Sequence, residues 1–231
     1  MKINRLALRL CMCALVLLRA LSLYADGKDS LSRKMIHMAG IDVKPAYVFP
    51  THEFFAGNNA TFSPIRKNLS VHLKYGFKFA PDTYFGRMYP HAVQGIGVGY
   101  NTFFHSSELG NPWSVYAFQT SRIASLTPRL SLDYEWNFGA SFGWKKYDAE
   151  SNPYNRVVGS KMNAYIHLSF LLNWQLDAQT NLRAGIGATH FSNGNTAYPN
   201  AGVNTFGASI GLTRYFGGTS RATLADGSSG I

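Results

Sequence analysis

The amino-acid sequence predicts an all-β fold, namely an eight-stranded antiparallel transmembrane β-barrel. Apolar and polar residues alternate with a period of two over eight successive segments, which is typical of strands that have one apolar face. Beyond the N-terminal 25 residues, no stretch approaches the roughly 20 continuous apolar residues that a membrane-spanning helix needs. Any insertion into a membrane must therefore use strands, and eight is an even number and a small barrel size.

The N-terminus has the pattern of a secretory signal peptide. Residues 1–25 carry Lys2, Arg5 and Arg9 near their start. An apolar run from Leu10 to Leu23 follows, with small residues near its end. The run is short for an uncleaved anchor, and Arg19 interrupts it. We therefore expect export, a barrel domain at 26–216 and a disordered Gly/Ser-rich tail at 217–231.

Composition excludes several classes of function. Cys11 and Cys13 both lie in the signal segment, so the mature chain has no disulfide framework and no thiol for catalysis or metal binding. Residues 1–25 hold four of the 22 basic residues and none of the 12 acidic ones, which leaves a mature net charge of +6. This charge favours anionic partners such as lipopolysaccharide phosphates, and we expect no nucleic acid partner for an exported chain.

The alternating segments predict strands near 41–49, 69–79, 92–104, 113–121, 129–146, 160–177, 180–192 and 203–216. The second is regular, with apolar odd-numbered residues from Leu69 to Phe79 and polar residues or glycine between them. In the third, the Gly-Ile-Gly-Val-Gly run at 95–99 resembles a dinucleotide loop. No helix follows it, and glycines on one strand face favour inward packing of small residues.

The fifth and sixth strands have the clearest pattern. Apolar even-numbered residues run from Leu130 to Trp144 and from Met162 to Leu176, with mostly polar residues and glycine on the other parity. A soluble lipocalin-like barrel also alternates, but so many aromatic rings would overfill a barrel of eight strands. We therefore expect the Gly, Ser and Asn face inside, the bulky face toward lipid, and the tryptophans Trp113, Trp144 and Trp174 in the interfacial girdles.

Two further patterns concern the lumen and the orientation of the barrel. An ion-paired plug is expected from the charged and histidine residues of lumen parity, which are His72, Lys74, Lys78, Asp133, Glu135, His167 and Arg183. The links at 50–68, 146–159 and 193–202 are long, those at 122–128 and 177–179 are short, and the one at 80–91 is longer than a tight turn. Short turns are periplasmic in bacterial barrels, so the seventh strand should end at the cell surface.

The last two strands carry three polar residues on their apolar parity. His190 and Ser192 continue the outward face of the seventh strand, and Asn204 precedes that of the eighth. Polar groups on a lipid face are costly and indicate a site, although strand ends in the headgroup region tolerate them. Positions i and i+2 of a strand lie about 6.6 to 6.8 Å apart on one face. His190 can therefore serve as the base for a Ser192 nucleophile that attacks an ester.

The run His190-Phe191-Ser192-Asn193, with Pro199-Asn200-Ala201-Gly202 and the strand to Phe216, resembles the lipid A 3-O-deacylase family (PagL type). The resemblance is close in the last two strands and elsewhere rests on the signal peptide, strand count and barrel pattern. It implies an outer-membrane enzyme that removes an ester-linked acyl chain from lipid A without a metal or other cofactor. It also implies that Asn193, Asn200 and Gly202 support the loop and the oxyanion site.

One departure from the family pattern concerns the catalytic acid. The family usually has a glutamate where this chain has Asn204, whose amide can orient the His190 ring but supplies no negative charge. The expected outcomes are a weaker triad, an inactive barrel, or a substitute acid from Glu53, Asp148 or Glu150. His52 and Glu53 form only half of a metal-binding motif.

Two functions therefore follow from the sequence: a lipid A deacylase, or a non-catalytic barrel that binds lipopolysaccharide or a surface partner. Membrane lipid surrounds the chain in both. The sequence leaves open whether two barrels pair.

Overall fold

Buried and exposed side chains alternate along the strands of the computed structural model, which describes residues 35–217. Its strands are β1 (Met35–Val48), β2 (Lys67–Phe79), β3 (Val93–Thr102), β4 (Gly110–Thr127), β5 (Leu130–Trp144), β6 (Met162–Gln175), β7 (Thr180–Ser192) and β8 (Val203–Phe216). Each pairs antiparallel with its neighbours in sequence, and β1 pairs with β8 to close the barrel. The predicted fold class is confirmed. The predicted signal peptide and nearly all of the predicted tail lie outside the described residues.

Two strands extend well beyond their predicted limits, and β2 begins two residues earlier than predicted, at Lys67. β1 begins at Met35 rather than at residue 41, because Ile36 and Met38 fill the lumen with apolar side chains and obscure the alternation. β4 spans 110–127 rather than 113–121, because register shifts between Arg122 and Ala124 and again before Thr127 break the period of two.

The outer surface is a continuous apolar belt. Its exposed residues include Leu73, Ile96, Val98, Val115, Phe138, Leu168, Phe170, Leu172, Ile186 and Ile210. Trp113 and Trp174 are about half exposed, as expected of residues at an interface with lipid. The prediction for Trp144 is wrong. It is 2% exposed, because Gly143 has a φ of +88° that interrupts the alternation and turns the indole inward, where Nε1 donates to Ser141 Oγ at 2.8 Å.

A buried charge network fills the middle of the lumen. Glu135 accepts hydrogen bonds from Lys74 Nζ at 2.7 Å, Arg183 Nη2 at 2.5 Å and Thr120 Oγ1 at 2.8 Å. Lys74 also pairs with Asp42. The expected ion-paired plug therefore joins strands β1, β2, β4, β5 and β7.

An aromatic layer lies between this network and the loop end of the barrel. The inner face therefore also carries large side chains, in addition to the Gly, Ser and Asn residues predicted there. Tyr116, Tyr165 and Phe191 are buried, and the Tyr165 ring contacts both of the others. The glycines of β3 make room for large neighbours: a Cβ on Gly97 would lie 2.4 Å from the Tyr116 ring. Inward packing explains the glycine run.

The long connections cap one end of the barrel. Loops 1 (49–66), 2 (103–109), 3 (145–161) and 4 (193–202) all lie at this end, and loop 1 holds helix α1 (Glu53–Ala56). Buried Phe54, Phe55, Leu109 and Val157 join the apolar cluster under them. At the other end, helix α2 (Tyr84–Met88) accounts for the long 80–91 link. No helix within residues 35–217 is long and apolar enough to cross a membrane.

Candidate active site

The candidate site lies on the outside of the barrel where β7 meets loop 4. Ala188 of β7 is exposed, Phe191 is buried in the lumen cluster, and His190 and Ser192 are half-buried on the outward parity. Asn204 of β8 is also half-buried, and its neighbour of the same parity, Phe206, is exposed to the outside. The three polar residues therefore share the outer face beside the capping loops.

The register of β7 and β8 brings His190 and Asn204 together. The two residues are cross-strand partners, and His190 Nδ1 lies 2.7 Å from Asn204 Oδ1. An amide oxygen only accepts, so this contact requires a proton on Nδ1. The neutral ring then carries its lone pair on Nε2, which is the form that a general base needs.

Gly202 lies against both His190 and Ser192. A Cβ placed on it would be 3.1 Å from His190 Cε1 and 3.7 Å from Ser192 Cβ. The Cε1 atom of the imidazole and the Ser192 side chain therefore both lie beside the same glycine. Within residues 35–217, no hydrogen bond joins the Ser192 hydroxyl to the His190 imidazole. The two side chains must therefore rotate before these groups make contact.

Loop 4 is held by its asparagines. Asn193 N–H donates to Asn200 Oδ1 at 3.1 Å, and Asn193 Nδ2 donates to the carbonyl oxygen of Ala197 at 2.8 Å. Asn200 Nδ2 in turn donates to Asn195 Oδ1 at 3.1 Å. These bonds fix the chain directly after Ser192 and join it to Asn200.

Two of the acidic residues considered as substitutes, Glu53 and Asp148, bond elsewhere. Glu53 begins helix α1 and accepts from Asn58 Nδ2 at 3.1 Å. The Asp148 carboxylate accepts from the backbone N–H groups of Ser151 and Glu150, and these bonds hold the pKa of Asp148 below its ordinary value. Asn204 is the residue that the hydrogen bonds join to His190.

Sequence reasoning missed the contribution of loop 3. Gly202 N–H donates to the carbonyl oxygen of Val157 at 3.3 Å, and Gly159 packs against Pro199 of loop 4. Val157 and Val158 are buried, but nothing in the sequence links them to residues about 45 positions later. Such contacts depend on how the loops fold over the barrel.

Comparison with known proteins decides the family. Residues 94–213, which are more than half of the chain, match the family model described as "Lipid A 3-O-deacylase (PagL)". The chain belongs to the PagL family. The matched range covers strand β7, strand β8 as far as Thr213, and all residues of the candidate site except Glu53. The protein is accordingly an outer-membrane barrel of a lipid A ester hydrolase family.

The fold of the chain is that of a solved structure of a PagL enzyme. The crystal structure of the outer membrane enzyme PagL is similar with a TM-score of 0.52 at 11% identity, over 74% of this chain and 97% of that one. The Neisserial surface protein A (NspA) follows with a TM-score of 0.48 at 9% identity, over 79% and 96% of the two chains. No curated protein matches the sequence.

Histidine, cysteine and acidic side chains are the residues of this PagL family member that could bind a metal ion. Within the part of the chain that the structure describes, no group of three or more such residues is placed to hold a metal ion. His52 instead caps helix α1, because its Nδ1 accepts from Phe54 N–H at 3.1 Å.

Proposed function

We propose that this protein is an outer-membrane serine esterase that removes an ester-linked acyl chain from lipid A. Ser192 is the nucleophile, His190 the general base and Asn204 the residue that orients the imidazole. The hydrogen bond between His190 Nδ1 and Asn204 Oδ1 carries the proposal, because it sets the ring in the basic tautomer on the lipid-facing surface.

The chemistry needs two steps and no cofactor. Ser192 Oγ attacks the ester carbonyl carbon while its proton passes to His190 Nε2. The tetrahedral intermediate collapses, the bond to the sugar oxygen breaks, and that oxygen takes the proton from the imidazolium. Water activated by the same imidazole then hydrolyses the acyl-serine and releases the fatty acid.

The oxyanion of the intermediate needs donors beside Ser192. The Asn193 N–H follows the nucleophile directly in the chain, and Asn200 lies one hydrogen bond from it. We assign the oxyanion contacts to the Asn193 N–H and to Nδ2–H of Asn200. For this, the hydrogen bond between Asn193 N–H and Asn200 Oδ1 is replaced by hydrogen bonds to the substrate oxygen. Gly202 has no side chain and so leaves space for the imidazole beside these donors.

Substrate reaches this site through the membrane. Ile186, Ala188 and Phe206 form an exposed apolar surface on the strands next to His190 and Asn204. An acyl chain would lie along it, so lipid A arrives by lateral diffusion in the outer leaflet. This requires the loop end at the cell surface, and we propose export with removal of residues 1–25 to place it there.

Release of free fatty acid from purified lipid A tests the activity. The refolded barrel should release it, and Ser192→Ala and His190→Ala should abolish release while the barrel keeps its heat-modifiable electrophoretic mobility. Ser125→Ala is the matched control, since Ser125 is exposed at the opposite end of the barrel. Equal release by wild type and both site variants refutes the assignment.

Asn204 itself favours a second candidate, a non-catalytic barrel that binds lipopolysaccharide. Without a carboxylate, the imidazolium that forms on proton transfer lacks a stabilising charge. Asn204→Glu should therefore raise fatty acid release by at least about tenfold. An inactive wild-type barrel that gains activity only as Asn204→Glu supports the second candidate. Measurable wild-type release that depends on Ser192 supports the first.

A further inference from the structure

A polar cavity of about 720 Å³ lies among loops 1, 3 and 4, above the candidate site. His52 and Glu53 line it from loop 1, Arg156 from loop 3, and Asn200 and Ala201 from loop 4. We infer that it binds the phosphorylated sugar of the lipid A substrate, with Arg156 as the phosphate contact. This inference rests on the proposed function, since it names how the same substrate is held.

The position of the cavity suits the chemistry of the substrate. The leaving oxygen of the ester belongs to the sugar, so the sugar ring lies one atom from the carbonyl that Ser192 attacks. The acyl chain occupies the apolar face beside Ala188, and the ring must therefore lie toward the loops. Asn200 joins the two regions, because it lines the cavity and accepts from the N–H of Asn193, the residue after Ser192.

The charges of the cavity suit a sugar phosphate. Arg156 is exposed and forms no ion pair with any acidic residue in the described range 35–217. His52 Nδ1 accepts from the backbone, so in the neutral ring Nε2–H is a second donor at the wall. A guanidinium binds phosphate oxygens through two parallel hydrogen bonds.

Glu53 gives the cavity an acceptor. Its Oε2 takes one hydrogen bond from Asn58, and the remaining lone pairs suit sugar hydroxyl groups. Its negative charge opposes phosphate, so Glu53 and Arg156 have opposite effects on binding of a phosphorylated lipid. This opposition provides a charge test in which both variants alter the same cavity.

Binding to an inactive barrel tests the inference without turnover. Ser192→Ala barrels in neutral detergent would be titrated with lipid A and with dephosphorylated lipid A in mixed micelles, and binding would be followed by thermophoresis. Adding Arg156→Gln should weaken binding of lipid A about tenfold at low salt and leave the dephosphorylated lipid unchanged. Adding Glu53→Gln should strengthen binding of lipid A, because it removes a repulsive charge.

Arg129→Gln is the matched control, since it removes the same charge at the opposite, exposed end of the barrel and should change neither affinity. Equal weakening of both lipids by Arg156→Gln, or no weakening, overturns the inference. Competition by inorganic phosphate at the concentration of lipid A also overturns it, because the cavity would then be a general anion site. Phosphate-dependent binding by the Ser192→Ala barrel, together with no fatty acid release by the wild-type barrel, would reject the proposed function and leave this cavity assignment intact.

Discussion

At the residue scale, Gly202 constrains the candidate site most tightly. It has a φ of +72°, and a Cβ on it would lie 3.1 Å from His190 Cε1. Gly202→Ala should reduce fatty acid release roughly 10- to 100-fold, because the imidazole must move away from its position beside Ser192. The measurement is the rate of fatty acid release by folded barrels of both proteins.

Gly194 separates this contact from backbone strain. It has a φ of +63°, and a Cβ on it would meet no atom within 4 Å. Gly194→Ala therefore has the same left-handed strain of roughly 1–2 kcal/mol but no clash with the site. Similar activity losses in the two variants would show that loop strain, rather than contact with His190, causes the effect.

The outward placement of the three polar residues was predictable from parity alone. A period of two fixes which side of a strand each residue occupies, so His190, Ser192 and Asn204 had to share a face once the strands were recognised. The hydrogen bond between Gly202 and Val157, and the cavity beside Arg156, were not predictable. They depend on contacts between loops, which have no periodic signal.

At the element scale, β3 shows how small residues on one strand accommodate large residues on the next. Gly97→Ala would bring a Cβ to 2.4 Å from the Tyr116 ring, so it should destabilise the barrel by about 1–3 kcal/mol. The midpoint of urea unfolding in lipid vesicles measures the loss. In the matched variant Gly40→Ala, the nearest atom is Thr213 Cγ2 at 3.1 Å, so the overlap is much smaller, and a similar loss there would contradict the packing argument.

Strand boundaries could be predicted only where the alternation is unbroken. Leu130 to Phe142 alternates without interruption, and the structure follows the pattern there. Gly143 then reverses the side on which Trp144 lies, and the register shifts after Arg122 hide the last part of β4. A positive φ or a bulge is a property of the backbone, and a count of apolar and polar residues does not detect it.

At the scale of the whole molecule, the strand order and closure followed from the count of segments, but the way that the lumen holds the barrel together did not. Sequence parity identified Glu135, Lys74 and Arg183 as inward-facing. It did not indicate that one carboxylate would accept from three strands at once. That convergence depends on the stagger of the strands around the closed barrel.

Removing this carboxylate should weaken the entire barrel and leave the site intact. Glu135→Gln leaves Arg183 without its partner and Lys74 with Asp42 alone, so unfolding should become easier by about 3–5 kcal/mol. Arg183 and His190 lie roughly 23 Å apart along β7, on opposite faces of the strand, so fatty acid release at low temperature should persist. Urea unfolding in vesicles gives the stability, and fatty acid release gives the function.

A second variant distinguishes charge balance from simple loss of packing. Glu135→Gln combined with Arg183→Gln removes one charge of each sign and keeps the Lys74 pair with Asp42. The double variant should therefore lose less stability than the sum of the two single variants, by at least about 1 kcal/mol. Strict additivity would mean that the two groups act independently. The closed barrel would then be held by its strand pairing and aromatic layer and by each charge separately, with no contribution from the coupling between Glu135 and Arg183.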